Sequence, residues 1–343
     1  MRIFEYTKII QKLGGKIVFL PETLNRTTTP AYLDEIKRMG IEVLPPEEDF
    51  EKYMEKFGNS FNFAYLNRPI PITMKCAPII KKYSNIKVIY DLCDLYYLRE
   101  KRRAKIEKND ALIDSSNEMK KNELYLMSLS DRIITVSDSE KEILKNENQK
   151  FQVEVFPHVF RIDSVGKRTE YNKRKDLLFI GSFEHLPNPD GIIWFVKNIF
   201  PEIIRVCPNI TLKIIGSNPT KEVTDLNSKN VKVIGYEKNI DRYFRDARVF
   251  VAPLRFGAGV KGKILQSMSF GLPVVTTNIG AEAICSENLL IADNENQFAE
   301  KVLKLYNDSK MWELYSRRSI EYVSNNFTPK VCEKHFKALF ASF

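Results

Sequence analysis

Arg255, Gly257, Gly259, Lys261 and Lys263 stand at alternate positions in one short stretch, a pattern suited to holding an anion. Glycines free the backbone to turn its N–H groups toward a phosphate, and the two lysines add formal charge. An apolar run, Val249 to Ala252, leads into this stretch, and a helix-like segment, then Gly271-Leu272-Pro273 and a second apolar run, Val274 to Thr276, follow it. A buried strand, a basic glycine loop and a helix in that order put the positive end of the helix dipole beside the loop. The chemistry expected there is the grip of a nucleotide diphosphate by backbone N–H groups freed at Gly257, Gly259 and Gly262.

Two other letter patterns coincide with the same loop. Residues 257–262, GAGVKG, match the G-x-G-x-x-G dinucleotide fingerprint, which implies an NAD(P)-dependent oxidoreductase. That motif normally fills the first βα turn of its domain, whereas several strands of the same half precede it here, and Glu282, near the spacing of a ribose-binding acid, follows a strand and a loop. Gly257 to Lys263 also imitates the phosphate loop of NTPases, but Ile264 stands where a Ser or Thr would hold magnesium.

The elements that must position this loop alternate throughout the 343 residues: short β-branched runs and longer helical stretches, the signature of parallel α/β sheets. Expected strands in the first half are Ile17–Leu20, Ile41–Leu44, Phe63–Leu66, Val88–Tyr90, Ile133–Val136 and Val153–Phe156. In the second half they are Leu177–Ile180, Thr211–Ile215, Val231–Ile234, Val249–Ala252, Val274–Thr276 and Leu289–Ala292. The polar stretch Asp163–Lys175 between the halves reads as a linker, and the chain after Ala292 reads as helical. Gly181, Gly216 and Gly235 follow strands, where ligands approach open α/β sheets.

Composition narrows the classes. With 43% apolar and 28% charged residues the chain is of globular type, and two domains suit its length. No apolar stretch reaches the roughly 20 residues that span a bilayer, and the N-terminus lacks the apolar core of a signal peptide, so a cytoplasmic protein is expected. Five scattered cysteines suggest neither disulfides nor a zinc site. No Asp-x-Asp occurs, which disfavours a carboxylate-bound metal. Of the net charge of +9, residues 1–165 hold 27 Lys+Arg against 25 Asp+Glu and residues 166–343 hold 26 against 19. The excess lies in the second half, where it would attract anions.

Longer segments carry a resemblance. FIGSFEHLPNPDGIIWF at 179–195, IIGSNP at 214–219, the run from Val233 to Thr277 and GAEAI at 280–284 resemble, in order, the donor domain of retaining group-1 glycosyltransferases, glycosyltransferase family 4. More loosely, VIYDLCDLYYLREKRR at 88–103 and SDRIITVSDSEKEIL at 130–144 are similar to the acceptor domain. The resemblance implies a GT-B fold: two facing Rossmann-like domains with parallel sheets and a cleft between them. The divisions expected are an acceptor-side domain at 1–165, a linker at 166–175, a donor domain at 176–325 and a last helix at 326–343 crossing back to the first domain. Family members usually begin with a strand before the first helix, so the first domain is expected to lack that strand.

By the same resemblance, the pattern of Arg255, Gly257, Gly259, Lys261 and Lys263, with the amides of Gly259, Val260 and Lys261, would neutralise the departing diphosphate without a metal or cofactor. Gly181, Ser182, Gly216 and Ser217 would line the ribose and phosphate path, and the backbone at Tyr236 and Glu237 would edge the base. Gln266 stands where members usually carry a glutamate that accepts from the ribose, and Ala258 where many carry a second one near the sugar. Asp94, which with Asp91 lies at or just past the end of the strand Val88–Tyr90, is the expected acceptor-side catalytic residue, with an N-cap as the alternative. The activity implied is sugar transfer, with retention, from a nucleotide-diphosphate sugar to a glycan or lipid-linked acceptor in surface polysaccharide synthesis, with no nucleic-acid partner. The rival is a non-catalytic nucleotide-sugar or glycan-binding protein. Arg99, Lys101, Arg102, Arg103 and Lys105, beside Tyr96, Tyr97 and Leu98, suggest contact of residues 96–105 with the inner face of the membrane.

Overall fold

The computed structural model describes residues 2–22, 29–45, 47–162 and 168–343. They form two compact units, one of residues 1–97, 114–159 and 329–343 and one of residues 98–113 and 160–328.

In the first unit, strands β1 (Val18–Phe19) and β2 (Glu42–Val43) pair in parallel as a separate small sheet. Strands β3 (Phe63–Asn67), β4 (Lys87–Asp91), β5 (Arg132–Thr135) and β6 (Val153–Val155) form a parallel sheet in that order. Parallel strands need both faces covered. One face is covered by the helices Arg2–Lys12 and Pro329–Ala341, whose Tyr6, Ile9, Cys332, Phe336 and Leu339 pack with Ile89, Ile134 and Phe156. Cys332, Phe336 and Leu339 are spaced by four and three, so one helical stripe meets the sheet. Tyr6 and Phe336 meet edge to face with ring centroids 5.0 Å apart, and Lys12 bonds Glu333 at 2.6 Å. Two segments more than 300 residues apart thus complete one core.

The second unit holds β7 (Leu177–Ile180), β8 (Leu212–Ile215), β9 (Val231–Gly235), β10 (Val249–Ala252), β11 (Val274–Thr276) and β12 (Leu290–Ile291), all parallel. Their spatial order is β9-β8-β7-β10-β11-β12. Chain order therefore reverses between β7 and β10, the topological switch point at which open α/β sheets bind ligands. Alternate residues of β7 go to opposite faces, Leu177 and Phe179 into one apolar cluster and Leu178 into the other. All four residues of β10 are buried, as a central strand between two helical layers requires. The helix Glu295–Asn307 supplies Phe298, Val302 and Leu305 to the first of these clusters. Each of the twelve strands falls on a segment expected from its apolar run.

The boundaries differ from those expected in two places. Residues 98–113 group with the second unit, because Arg102 bonds residues of that unit 155 and 180 positions away. The stretch read as a linker is structural where it is described, residues 163–167 lying outside the described residues. Its Arg174 is 1% exposed and donates to the carbonyls of Thr169, Phe244, Ala247 and Phe270, with Trp312 5.2 Å away across its ring. Burial and nearby Arg168 lower the guanidinium's pKa to about 10, still well above neutrality. A basic stretch looked like a solvated connector because nothing local reveals that four carbonyls await its cation. The turn back to the first unit comes after Thr328, the helix Ser309–Asn326 staying with the second.

Removing that cation strands buried carbonyls, and each buried unsatisfied polar group costs about 1–3 kcal/mol. Arg174→Met is expected to destabilise the second unit by about 3–5 kcal/mol. Both tryptophans of the chain, Trp194 and Trp312, lie in that unit, so a urea titration followed by tryptophan fluorescence reports it. An unchanged midpoint would show that Arg174 carries no such role.

Candidate functional site

Leaving β10, the chain is pinned on both sides before it turns. Thr276 Oγ1 donates to Ala252 O at 2.7 Å, and Thr277 Oγ1 donates to Leu254 O. Helix Pro187–Trp194 lies so close that a Cβ on Gly191 would stand 2.3 Å from Pro253 O. The loop then passes through Gly257 at φ 151° and Gly259 at φ 66°, conformations in which a side chain is strained. It ends at Lys261, the N-cap of helix Gly262–Ser269. The amides of Gly259 and Val260 donate to no acceptor among the described residues. Their position, beside a helix N-terminus at the switch point, is that of an anion cradle.

The two lysines sit in different surroundings. Lys261 is 9% exposed, with Nζ donating to Ala258 O at 3.1 Å and to Gly259 O, and lying 3.5 Å from Glu282 Oε2. Lys263 Nζ donates to Asn188 Oδ1 and lies 4.7 Å from the centroid of the Phe179 ring. No carboxylate is within ion-pair distance of Lys263 among the described residues. Desolvation, reinforced by the charge of Lys261, pushes the Lys263 ammonium down to about 7. A cation held there without a counter-ion is stabilised by whatever anion arrives.

The neighbouring strand ends supply a floor. A Cβ on Gly216 would fall 1.8 Å from Gly181 O, and one on Gly181 would fall 2.6 Å from Asn188 Nδ2. These two glycines let the ends of β7 and β8 touch. Ser217 Oγ and Ser182 Oγ meet at 3.2 Å, and Asn188 Nδ2 donates to Ser182 O at 2.6 Å. Asn188, 3% exposed, thereby ties the floor to Lys263. Gly181, Ser182, Gly216, Ser217, Gly257, Gly259, Val260, Lys261 and Lys263 all lie at or beyond the carboxyl ends of three adjacent strands.

Other expected residues are placed differently. Arg255 turns from the loop to ion-pair with Asp190 through Nε at 2.9 Å and through Nη2, and the two line a shallow cavity of about 250 Å³ with Trp194 and Lys197. Tyr236, after β9, is exposed, and the Glu237 carboxylate accepts from Arg242 at 3.1 Å and from Tyr243 Oη at 3.0 Å. Gln266 is partly buried on the second turn of helix Gly262–Ser269. Ala258 is 8% exposed, with its carbonyl on Lys261.

The first unit has a polar cluster of its own at the ends of β3 and β4. Asp91 is fully buried, 2.9 Å from Arg2 Nη2, and accepts from Tyr65 Oη at 2.5 Å and from the Cys93 amide at 3.2 Å. Such a carboxylate is held for structure. Asp94, three residues on, is partly exposed. The first amides of helix Tyr96–Glu107 go to the buried carboxylate of Glu123, Tyr96 N at 3.0 Å and Tyr97 N at 3.2 Å. These amides therefore take a cap from Glu123, a long-range partner that local sequence does not reveal.

The basic run expected at a membrane is largely engaged. Arg103 bonds Glu107 at 2.7 Å and Glu100 at 3.4 Å, Arg99 lies 3.6 Å from Glu100, and Tyr97 is 6% exposed. Arg102 forms a two-pronged ion pair with Glu282 at 2.9 and 2.8 Å and donates to Gly257 O at 2.6 Å. No described helix is long and apolar enough to cross a membrane. Asn188, Arg102 and Glu282 are the residues that sequence reasoning left out of the site. Asn188 lies in the quoted NPD run and Glu282 in GAEAI, so both were within sight, whereas nothing near Arg102 pointed to partners so far along the chain.

Comparison with known proteins follows the same outline. Residues 174–308 match the family model of the group 1 glycosyl transferases. A protein of 44.6 kDa from the cps region of Klebsiella pneumoniae is 27% identical over 177 residues, 48% of this chain and 45% of that protein. The capsular polysaccharide biosynthesis glycosyltransferase CapM of Staphylococcus aureus is 24% identical over 197 residues, 54% of this chain and 51% of CapM. The matched region spans about half the length of these curated relatives. The crystal structure of Anabaena HepE in complex with UDP and glucose aligns with a TM-score of 0.68 at 12% identity, over 96% of this chain and 100% of that one. Residues 174–308 thus carry the group 1 glycosyltransferase sequence on a chain of GT-B fold.

Proposed function

We propose that the chain transfers a sugar from a nucleotide-diphosphate donor, a UDP-sugar in the first instance, to a glycan or lipid-linked acceptor in surface polysaccharide synthesis. The observation that carries this reading is the loop after β10: two lysines, one without a counter-ion among the described residues, and two amides with no acceptor among them, at the switch point of a parallel sheet. The capsular role of CapM and the UDP and glucose bound to HepE support the choice of pathway and donor.

In this reaction the bond from the anomeric carbon to the phosphate oxygen breaks and the electron pair leaves with the diphosphate. A bond from the acceptor oxygen to the same carbon forms, and the acceptor's proton goes to a base. Negative charge grows on the leaving oxygen, so groups that meet it there lower the barrier. Phosphate oxygens would take the place of the Ala258 and Gly259 carbonyls on Lys261 and add to the Asn188 contact of Lys263, while the amides of Gly259 and Val260 donate to the same anion. These cations supply what a divalent metal supplies in enzymes with an Asp-x-Asp pair, which this sequence lacks, and the transfer we propose is metal-independent. Retention of configuration rests on the similarity to group 1 enzymes. Gln266 would accept from the ribose as an amide, without charge assistance, and Asp94, partly exposed at the end of β4, is the proposed acceptor-side base.

A panel of UDP-, GDP- and ADP-sugars read by thermal shift and by release of the free nucleotide tests the reading. A shift and slow hydrolysis with one donor class support transfer, a shift without hydrolysis supports a binding protein, and a response to NAD or NADP alone would overturn both. Lys261→Ala is expected to lower turnover more than about a hundredfold, the scale of one lost oxyanion donor, in a folded protein. Unchanged turnover would remove the loop from the mechanism.

The pH dependence of donor binding has a definite sign. Lys263 titrates at about 7 when the site holds no anion, and a bound diphosphate raises that value, so binding takes up a proton above neutrality. Affinity for UDP-glucose should be flat below about pH 7 and fall as pH rises from there to about 9, as far as tenfold per pH unit. Calorimetry in buffers of different ionisation enthalpy measures the uptake, and Lys263→Met should abolish it.

A further inference from the structure

Arg102 and Glu282 have no part in the transfer as proposed so far, yet they meet at the diphosphate loop. The guanidinium donates through Nη1 to Glu282 Oε2 at 2.9 Å and through Nη2 to Oε1 at 2.8 Å, and the same Nη1 reaches Gly257 O at 2.6 Å. Glu282 Oε2 also faces Lys261 Nζ, at the longer distance of 3.5 Å. Burial would raise the Glu282 carboxyl, but the hydrogen bonds of Arg102 and the charge of Lys261 outweigh it and hold it below the usual range. All four residues belong to the second unit.

Three charges, two positive and one negative, therefore stand against the glycine loop with one positive charge in surplus. The fork of Arg102 matches the carboxylate plane and gives an N–H to each oxygen at 2.8–2.9 Å, whereas Lys261 stays at the longer distance of 3.5 Å. Without the guanidinium, Glu282 would have Lys261 as its only cation among the described residues, and the remaining pair would be neutral. A carboxylate closed on Lys261 competes with phosphate for the same ammonium.

We infer that Arg102 is a positioning residue for the donor diphosphate: it occupies Glu282 and fixes the Gly257 carbonyl, and so keeps Lys261 available to phosphate. The inference rests on reading this loop as the diphosphate site. It gives the basic helix 96–107 a partner inside the protein in place of a lipid surface.

Titration of the full chain with UDP by calorimetry, with folding checked by circular dichroism, tests it through the variants Arg102→Met, Arg102→Lys, Glu282→Gln and the double Arg102→Met/Glu282→Gln. Arg102→Met is expected to weaken UDP about tenfold and Arg102→Lys, which keeps the charge and loses the fork, by less. Glu282→Gln, which frees Lys261, should bind UDP at least as tightly as the native chain. In the Glu282→Gln background, the loss from Arg102→Met should shrink to under about threefold, the signature of residues acting as one unit. An unchanged Kd for Arg102→Met, an equal loss in both backgrounds, or weaker binding by Glu282→Gln overturns the inference. Should Arg102→Met fail to fold, Glu282→Gln decides alone. If the native chain binds no nucleoside diphosphate, the functional reading falls as well, which separates that failure from this one.

Discussion

Everything proposed for this chain depends on one electrostatic imbalance: positive charge held out of water at the carboxyl ends of central strands with too little negative charge beside it. A buried ammonium ordinarily recruits a carboxylate or loses its proton. Lys263 has an amide oxygen and an aromatic face instead, and its depressed pKa is the physical trace of that deficit. Lys261 has borrowed the carbonyls of its own loop. The fold's contribution is to keep both ammonium groups at the same place. Pinned threonines, close-packed Gly191 and the tight contact of Gly181 with Gly216 leave the loop little freedom to collapse away from its ligand position.

Much of this was legible in the sequence because its causes are local. Strands such as Leu177–Ile180 and Val249–Ala252 announce themselves as short apolar runs, and Gly257 and Gly259 adopt the positive φ that their type permits. The order β-strand, basic loop, helix placed the loop correctly at a strand's carboxyl end. That β7 and β10 are neighbours, which makes this end the switch point, is a fact of topology that no run of letters contains.

What escaped notice has a common physical character: long side chains whose partners are distant in the chain. Arg174 looked like part of a solvated linker and Arg102 like part of a membrane-facing run. Each reading weighed local charge pattern alone. The partners, carbonyls around residues 244–270 for Arg174, Glu282 for Arg102 and Glu123 for the helix amides, come from elsewhere in the chain. For Arg255, the alternate-position pattern with the glycines pointed at phosphate and gave no sign of the ion pair it makes with Asp190 on the neighbouring helix.

The packing of Tyr6 against Phe336 bears on how the chain is made as well as on how it stands. During synthesis the first helix emerges from the ribosome early, while the aromatic and thiol side chains that seal its core arrive only after the whole second unit has been translated. The nascent first unit must wait with an apolar face open to water, a window in which chaperones or aggregation would compete for it. The strands and helices of residues 160–328, the bulk of the second unit, follow one another closely and meet no such delay.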